Sequence, residues 1–363
     1  MKKPVRVLLL YASGTENATF SYQTSWPRQF ARHPKFACTL LNLMDRGPAN
    51  RVRAHWLARK WRGDAIVLLH STFSGACYLM GRLLDAVAAM RQPKVYFIGN
   101  EYISMPEKMT FAARLRLALL VSQCGSAGVH QLYRERLGCE VIGLPNTGLD
   151  STVFFPSRPI AERPIDLGFR SMNSPIYLGH TERYDMAEYF DAHAARLGLV
   201  TDISLDGSRR FAESEWAGFL NRCKGQLGTE AGGDYFDLDD RTRYGVIDFL
   251  AERPDARLGD IRQRFFAEPR PVTLRLLSGR NVEAAGTRTV QVLFEGHYDG
   301  YLRPDVHYIP LKKDFSNADE AVGKFRDAAF RETIVENAYQ LARAELTYDR
   351  LLDRFHDALS PLL

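Results

Sequence analysis

The sequence predicts an α/β fold made of two similar halves that face a cleft. The chain has 363 residues, which is more than one ordinary hydrophobic core accommodates. Short apolar runs alternate with helical patterns, and this alternation restarts after a proline-rich passage. The composition, with 45% hydrophobic and 25% charged residues, excludes a disordered or collagen-like chain.

The first half is predicted to contain a parallel sheet. Runs at 5–11, 65–70 and 95–99 are rich in Val, Ile and Leu and end in polar or glycine-containing loops. Such runs are typical of strands that are buried on both faces. A further strand is predicted at 140–144. Helical patterns separate these runs, at 51–61, 75–90, 107–119 and 131–137. The alternation predicts a Rossmann-like N-terminal domain over 1–146.

A linker is predicted at 147–164, because its prolines fix φ and interrupt strand pairing. A second Rossmann-like domain is predicted over 165–341. The remaining residues, 342–363, are predicted to form a C-terminal helix. Its basic residues have two interpretations: contact with a membrane, or packing back across the domains, which is the commoner fate of such helices. Predicted strands of the second domain lie at 165–169, 200–205, 224–228 and 290–294, with a helix at 185–197.

Ligands of open α/β sheets bind beyond the carboxyl ends of the strands. The polar residues at those ends are therefore candidates. They are Gly14, Thr15, His70, Asn100, Glu101 and Gln123 in the first half, and Arg170, Thr229, Glu230, Glu295 and Gly296 in the second.

Residues 278–286 combine a Gly-Arg pair with the start of a short predicted helix. Free backbone N–H groups, the positive end of a helix dipole and the Arg280 guanidinium together suit a diphosphate. Glu283, one turn further on, is placed to accept two hydrogen bonds from a ribose diol. A capped surface helix with an incidental charge pair is the alternative, and spacing alone does not separate the two.

Four segments resemble bacterial group 1 glycosyltransferases of the GT-B fold. The longest is 278–317, SGRNVEAAGTRTVQVLFEGHYDGYLRPDVHYIPLKKDFSN, which is similar to the ISGR/ISPR-x-F-E-A and FEG…HYIPLKKDFSN block of that family. Residues 227–232 (LGTEAG), 99–108 (GNEYISMPEK) and 144–156 (LPNTGLDSTVFFP) are similar to its LGTESG, GNEY…MPEK and PNGVD…F-x-P segments. The resemblance covers most of the chain.

The resemblance implies transfer of a sugar from a nucleotide-activated donor to a hydroxyl acceptor, a glycan or a lipid-linked glycan. It places this reaction in the assembly of bacterial surface glycans or glycoconjugates, without a metal or other cofactor. Glu230 and Arg280 are then the catalytic candidates. The implied donor-binding residues are Arg170, Thr229, Arg280, Glu283, Glu295 and Gly296, and the acceptor-side candidates are His70, Asn100 and Glu101.

Two departures from the family pattern concern the donor sugar. A glutamate is usual eight positions before the ribose-binding one, but this chain has Arg275 there. Ala231 and Asp234 also replace the residues usual in the LGTESG-type loop. The identity of the sugar is therefore not implied. Asp237 and Asp239 form a DxD pair, which suits either a metal site or the N-terminus of the helix predicted near Thr242.

Charge and cysteine content place few limits on partners. The net charge of +5 identifies no partner, and no nucleic-acid-binding motif is present. The five cysteines form no CxxC pair, and no run approaches the ~20 apolar residues of a membrane span. A cytoplasmic protein is expected, at most peripheral to the inner face of the membrane.

Two rival functions remain open in the sequence. The first is a nicotinamide-dependent oxidoreductase, against which the missing GxGxxG after the first strand argues. The second is a non-catalytic protein that binds a sugar nucleotide or a glycan, which the missing first glutamate leaves open.

Overall fold

Two parallel sheets organise the computed structural model, which describes residues 3–14 and 21–363. The predicted α/β class is therefore confirmed. Thr15, one of the candidate ligand-binding residues, lies outside the described residues.

The first sheet has six strands in the order β2-β1-β3-β4-β5-β6, and all neighbours are parallel. Its strands are β1 (Val5–Tyr11), β2 (Phe36–Asn42), β3 (Ala65–Leu68), β4 (Lys94–Phe97), β5 (Leu119–Ser122) and β6 (Glu140–Gly143). The helices between them are α1 (Ser21–Arg32), α2 (Pro48–Lys60), α3 (Gly81–Ala88), α4 (Met105–Leu115) and α5 (Ala127–Leu137). Helices α2 to α5 cover one face of the sheet, and α1 covers the other.

The second sheet has five parallel strands in the order β13-β12-β9-β7-β8, beside an antiparallel pair, β10-β11. The strands are β7 (Ile165–Arg170), β8 (Thr201–Ser204), β9 (Cys223–Gly228), β10 (Ala231–Gly233), β11 (Leu274–Leu276), β12 (Val290–Phe294) and β13 (Ile309–Leu311). The helices are α6 (Glu182–His193), α7 (Glu213–Leu220), α8 (Arg241–Glu252), α9 (Leu258–Phe265), α10 (Gly279–Gly286), α11 (Ala318–Arg326), α12 (Ala328–Glu345) and α13 (Tyr348–Leu359).

Two strands of the first sheet were not predicted, and one predicted helix was too long. The helix expected at 107–119 ends at Leu115, because Arg116 adopts the left-handed conformation with φ 53°. The following residues form β5 instead, a buried strand of only four residues. The other missed strand, β2, lies at the sheet edge and is only partly buried, so its apolar pattern is weak.

The C-terminal helix α13 lies against the first sheet, on the face that α1 also covers. Its Phe355 ring packs 5.6 Å from Phe30 and 5.1 Å from Phe97, measured between ring centroids. The apolar side of the helix is thus buried inside the protein. Basic residues of α12 and α13 donate hydrogen bonds to protein oxygens: Arg343 to Tyr339, Arg350 to Ala344 and Arg354 to Tyr301. The structure therefore favours the packing interpretation of these helices over direct membrane contact.

Each sheet reverses its strand order once, between β1 and β3 in the first and between β7 and β9 in the second. Ligands bind open α/β sheets at such reversals, beyond the carboxyl ends of the strands. None of the described helices is long and apolar enough to cross a membrane.

Candidate functional site

A cavity of about 600 Å³ lies between the two sheets and is lined by residues from both. Loops that follow β3, β4 and β5 form the first wall, and loops that follow β7, β8 and β11 form the second. The side chains of the first wall are mostly neutral, and include Tyr22, Gln23, Ser71, Ser74, Tyr78, Asn100, Tyr102 and Gln123. The second wall contributes four arginines: Arg170, Arg183, Arg210 and Arg280.

Three of these arginines repel one another. The pKa of Arg280 is lowered to about 9, first by burial and then by the charges of Arg183 and Arg210. Burial also lowers the pKa of Arg183 and of Arg210. A site that gathers like charges in a partly enclosed cavity is suited to an anion, because the anion offsets both the repulsion and the cost of partial burial.

Arg170, at the end of β7, differs because a carboxylate already compensates its charge. It donates to the backbone oxygen of Asp202 at 2.8 Å and forms an ion pair with the Asp202 carboxylate. Its guanidinium also lies 4.8 Å from the centroid of the Phe219 ring. Arg170 thus lines the cavity but is held by β8.

Helix α10 points its N-terminus at the cavity, as the Gly-Arg pair predicts. Gly279 is required there, since a Cβ would lie 2.4 Å from Thr147 Oγ1. Arg280 Nη1 donates to Ser171 Oγ at 2.9 Å, which orients the guanidinium along the second wall. The first N–H groups of a helix have no partner within it and are available to an anion.

Glu283 lines the cavity one turn beyond Arg280 and is buried. Its Oε2 accepts a hydrogen bond of 2.8 Å from Trp216 Nε1, on α7. The Arg280 guanidinium lies 5.8 Å from the centroid of the same Trp216 ring. Trp216 therefore fixes the carboxylate beside the arginine cluster.

Of the acceptor-side candidates, only Asn100 lines the cavity. It adopts φ 47°, and its Nδ2 donates to Ser74 Oγ at 2.8 Å. His70 is instead a core residue packed against the rings of Trp26 and Phe97, and burial lowers its pKa to about 3. The His70 ring therefore lies among aromatic side chains and does not line the cavity, and its acceptor-side role stays a prediction.

Glu101 does not line the cavity either, and its acceptor-side role stays a prediction. The carboxylate is buried and accepts hydrogen bonds from Gln123 N at 2.6 Å, Tyr133 Oη at 2.7 Å and Ser122 Oγ at 2.8 Å. Lys108 braces the same loop, since its Nζ donates to the backbone oxygens of Gly99 and Asn100. Glu101 thus holds the loop that carries Asn100, and the backbone and hydroxyl donors explain why it points inward.

Four further candidates do not line the cavity: Thr229, Glu230, Glu295 and Gly296. Their roles in catalysis or donor binding stay predictions. Glu230 Oε1 accepts from the backbone N–H of His297 at 3.0 Å and of Tyr298 at 2.7 Å. The carboxylate is therefore used to join the loop after β9 to the turn after β12. Thr229 is buried and donates to the backbone oxygen of Glu230, Glu295 is exposed, and a Cβ at Gly296 would lie 2.6 Å from Glu230 Oε2.

The unusual Arg275 forms a buried ion-pair cluster near the cavity. It donates to both carboxylate oxygens of Glu182 at 3.0 Å and to Asp234 Oδ1 at 2.5 Å. Two of the three residues that depart from the family pattern, Arg275 and Asp234, thus contact each other.

The DxD pair serves a helix terminus. Asp237 accepts from the Thr242 N–H, and Asp239 from the Arg241 N–H, so both cap α8. Across the described ranges, no three His, Cys, Asp or Glu side chains are grouped to hold a metal ion. Metal independence stays a prediction.

Sequence reasoning missed Arg183 and Arg210. Arg183 is the second residue of α6, and Arg210 follows the turn after β8. A signal for Arg210 was present, because it lies within a few residues of the carboxyl end of a predicted strand. No such signal was present for Arg183, because the helix predicted at 185–197 begins after this residue.

Neither a family model nor a curated protein matches this chain at the sequence level. Solved structures of GT-B glycosyltransferases do match its fold. HepE from Anabaena, in complex with UDP and glucose, has a TM-score of 0.52 and 12% identity, covering 98% of this chain and 100% of that one. Sucrose-phosphate synthase from Thermosynechococcus elongatus has a TM-score of 0.52 and 9% identity, with 99% of each chain covered.

A DNA-modifying β-glucosyltransferase, solved with and without uridine diphosphoglucose, has a TM-score of 0.56 and 8% identity. The match covers 98% of this chain and 99% of that one. The chain therefore has the GT-B fold of glycosyltransferases.

The buried Glu101 carboxyl is expected to make stability depend on pH. Burial raises its pKa from 4.5 to about 7, so folding favours the protonated form. Protonated Glu101 therefore adds about 3 kcal/mol to the free energy of unfolding. This contribution is complete below pH 4.5 and is lost as the pH rises to about 7. In the wild type, the free energy of unfolding, measured by urea denaturation, should decline by this amount between pH 4.5 and 7. In Glu101→Gln this decline should be absent.

Glu140→Gln is the matched control, because Glu140 is exposed on β6. This variant should show the same pH dependence of the unfolding free energy as the wild type. An unchanged decline in Glu101→Gln would contradict the assignment.

Proposed function

We propose that the protein is a glycosyltransferase that moves a sugar from a nucleotide-activated donor to a hydroxyl acceptor. The observation that carries this proposal is the second wall of the cavity, where Arg183, Arg210 and Arg280 lie together beside Glu283. Three guanidinium groups and a helix N-terminus match a diphosphate. A carboxylate one helical turn away matches the adjoining ribose diol. The UDP and glucose bound to HepE, which has the same fold, support a nucleoside diphosphate donor.

The arginine cluster would also promote the reaction. Negative charge grows on the departing phosphate as the bond to the sugar breaks, so cations already held in place stabilise the transition state more than the bound donor. These side chains supply positive charge of the kind that a metal ion supplies in other transferases. Metal-independent transfer is therefore part of the proposal.

The first wall supports a glycan as the acceptor. Its tyrosines and amides, including Tyr78, Tyr102 and Gln123, offer hydrogen bonds and ring faces but no charge. Such a surface suits the hydroxyl groups and apolar faces of sugar rings. We further propose a free or lipid-linked glycan acceptor in bacterial surface-glycan or glycoconjugate assembly, a role that rests on the sequence resemblance.

A second candidate function is a sugar-nucleotide-binding protein without turnover. Arg275 favours it, because Arg275 occupies the position of the usual sugar-side glutamate and is committed to Glu182 and Asp234. Hydrolysis of the donor in the absence of an acceptor separates the two functions. A protein that binds the nucleotide but never releases sugar would have the second function.

Thermal unfolding with UDP, GDP, dTDP, CMP and NAD tests the donor site. A nucleotide at a hundred times its Kd should stabilise the wild type by about 2.7 kcal/mol. Glu283→Gln should bind that nucleotide about tenfold more weakly. The substitution replaces one carboxylate oxygen, which can accept a hydrogen bond from a ribose hydroxyl, with an NH2 group that only donates. Glutamine retains an oxygen for Trp216, whereas Glu283→Ala would leave that buried N–H without its acceptor.

Glu213→Gln is the matched control. Glu213 also lines the cavity, but it accepts from Ser25 Oγ at 2.9 Å and lies 3.6 Å from Arg28 Nη2. This variant should keep the wild-type nucleotide response. Stabilisation by NAD alone would contradict the transferase proposal, and so would an equal response of the two glutamine variants.

A further inference from the structure

We propose that helix α2 docks the protein on an anionic lipid bilayer. α2 lies on the outside of the first sheet and exposes two apolar side chains, Val52 at 71% and Trp56 at 59%. These residues are four positions apart, so their side chains are neighbours on one face of the helix. An exposed tryptophan beside an exposed valine marks an interaction surface more clearly than a single apolar residue does.

The docking face, formed by the exposed residues of 46–62 around Val52 and Trp56, is strongly basic. Six cations are exposed along 46–62, and the same segment contains no Asp or Glu. Within the part of the chain that the structure describes, none of the six forms an ion pair with a carboxylate. The cations are Arg46, Arg51, Arg53, Arg59, Lys60 and Arg62.

Positive charge combined with apolar side chains favours a lipid surface as the occupant. Arginine and lysine attract anionic headgroups, while tryptophan partitions into the headgroup region and valine into the acyl boundary. Arg59 and Lys60 follow Trp56 by three and four residues, so charge and apolar area share one face. A nucleic acid would be attracted to the same cations, but it offers no environment for Val52 that is better than water.

The exposure of Trp56 does not result from a loosely held helix. The opposite side of α2 buries Ala54, Leu57 and Ala58 in the core of the first domain. The helix therefore presents a fixed outer face, which a bilayer can contact without unfolding it. Val52 and Trp56 are not needed by that core, and their substitution should leave the fold intact.

The position of α2 relates the docking face to the cleft. The helix connects parallel strands β2 and β3, so it begins at the edge of the sheet where the strands end. That edge also carries the first wall of the cavity. Docking through Val52, one turn into the helix, would bring the mouth of the cleft close to the headgroups.

Sedimentation with vesicles tests this proposal without any substrate. The probes are vesicles of phosphatidylcholine alone and of an equal mixture of phosphatidylcholine and phosphatidylglycerol. The wild type should bind the mixed vesicles more tightly. Each cation near an anionic surface contributes about fivefold, so the triple variant Arg53→Gln, Arg59→Gln, Lys60→Gln should bind about 100-fold more weakly.

The double variant Val52→Ser, Trp56→Ser should bind the mixed vesicles about tenfold more weakly. The matched control is Arg343→Gln with Arg350→Gln, which removes exposed cations from the terminal helices and should retain wild-type binding. All variants should unfold at the wild-type temperature.

Three results would overturn the proposal. One is vesicle binding that the α2 variants leave unchanged. Another is binding of duplex DNA, lost in the triple variant, by a protein that ignores both kinds of vesicle. The third is a dimer in analytical ultracentrifugation that dissociates in the double variant, which would make α2 an interface between two copies of this chain.

Discussion

Arg280→Met is expected to weaken nucleoside diphosphate binding about 100-fold and, at the same time, to raise the unfolding temperature of the ligand-free protein. The loss follows from two charge-assisted hydrogen bonds to phosphate oxygens, each contributing about 1.5 kcal/mol. The gain follows from burial and from the repulsion of Arg183 and Arg210, which lower the Arg280 pKa to about 9. Isothermal titration with UDP and thermal unfolding without ligand measure the two effects.

The opposite signs of these effects make the experiment decisive. A residue that only supports the fold would lower the unfolding temperature and the affinity together, and that result would contradict the assignment. Arg241→Met is the matched control, because Arg241 is exposed on α8 and pairs with Asp239. It should change neither quantity. Arg280→Lys should retain part of the affinity, since lysine keeps the charge but not the planar fork.

Turnover separates a binding role of Arg280 from a catalytic one. A cation that acts on the departing phosphate should lower kcat by about 100-fold when removed, beyond its effect on KM. A change in KM alone would indicate that Arg280 holds the donor equally in the ground and transition states.

Local chemistry explains why part of the site was predictable from the sequence. Arg280 and Glu283 stand in one segment that opens a short helix, so spacing alone fixes their relation to each other and to the helix dipole. The buried strands were predictable for a similar reason, because a run such as 290–294 carries its own apolar signal. These features depend on residues that are close in sequence.

The remainder of the site depends on contacts between distant segments. Arg183 and Arg210 approach Arg280 only after β7, β8 and β11 assemble. Glu101 and Glu230 both follow strands, but their carboxylates turn inward to accept hydrogen bonds from backbone N–H groups. A sequence places such a carboxylate at the end of a strand without telling which donors its side chain will meet.

Charge is divided unequally between the two walls of the cleft. The second wall carries the arginines, whereas the first wall is made of neutral hydroxyl, amide and aromatic groups. Under the proposed function, the second wall alone would bind the diphosphate of the donor, even when the cleft is open. Closure would then bring a neutral acceptor surface to an already charged donor site and exclude water from it.

Arg163→Met is expected to lower the free energy of unfolding by about 4 kcal/mol, the largest stability loss among these variants. Arg163 is only 2% exposed, and burial lowers its pKa to about 10. Its guanidinium holds together the end of the linker, the start of β9 and the turn after α10. It donates to the backbone oxygens of Arg158, Leu220, Cys223, Thr287 and Arg288, and to Thr289 Oγ1.

Methionine fills a similar volume but donates to none of these oxygens. The Leu220 oxygen keeps the Thr289 hydroxyl as a donor, and each oxygen that is left without one costs about 1 kcal/mol. Urea denaturation measures the loss. Arg158→Met is the matched control, because Arg158 is exposed and contributes only its backbone oxygen to the cluster. A loss below about 1 kcal/mol in Arg163→Met would contradict this account. The same contacts fix the end of the linker to the second sheet.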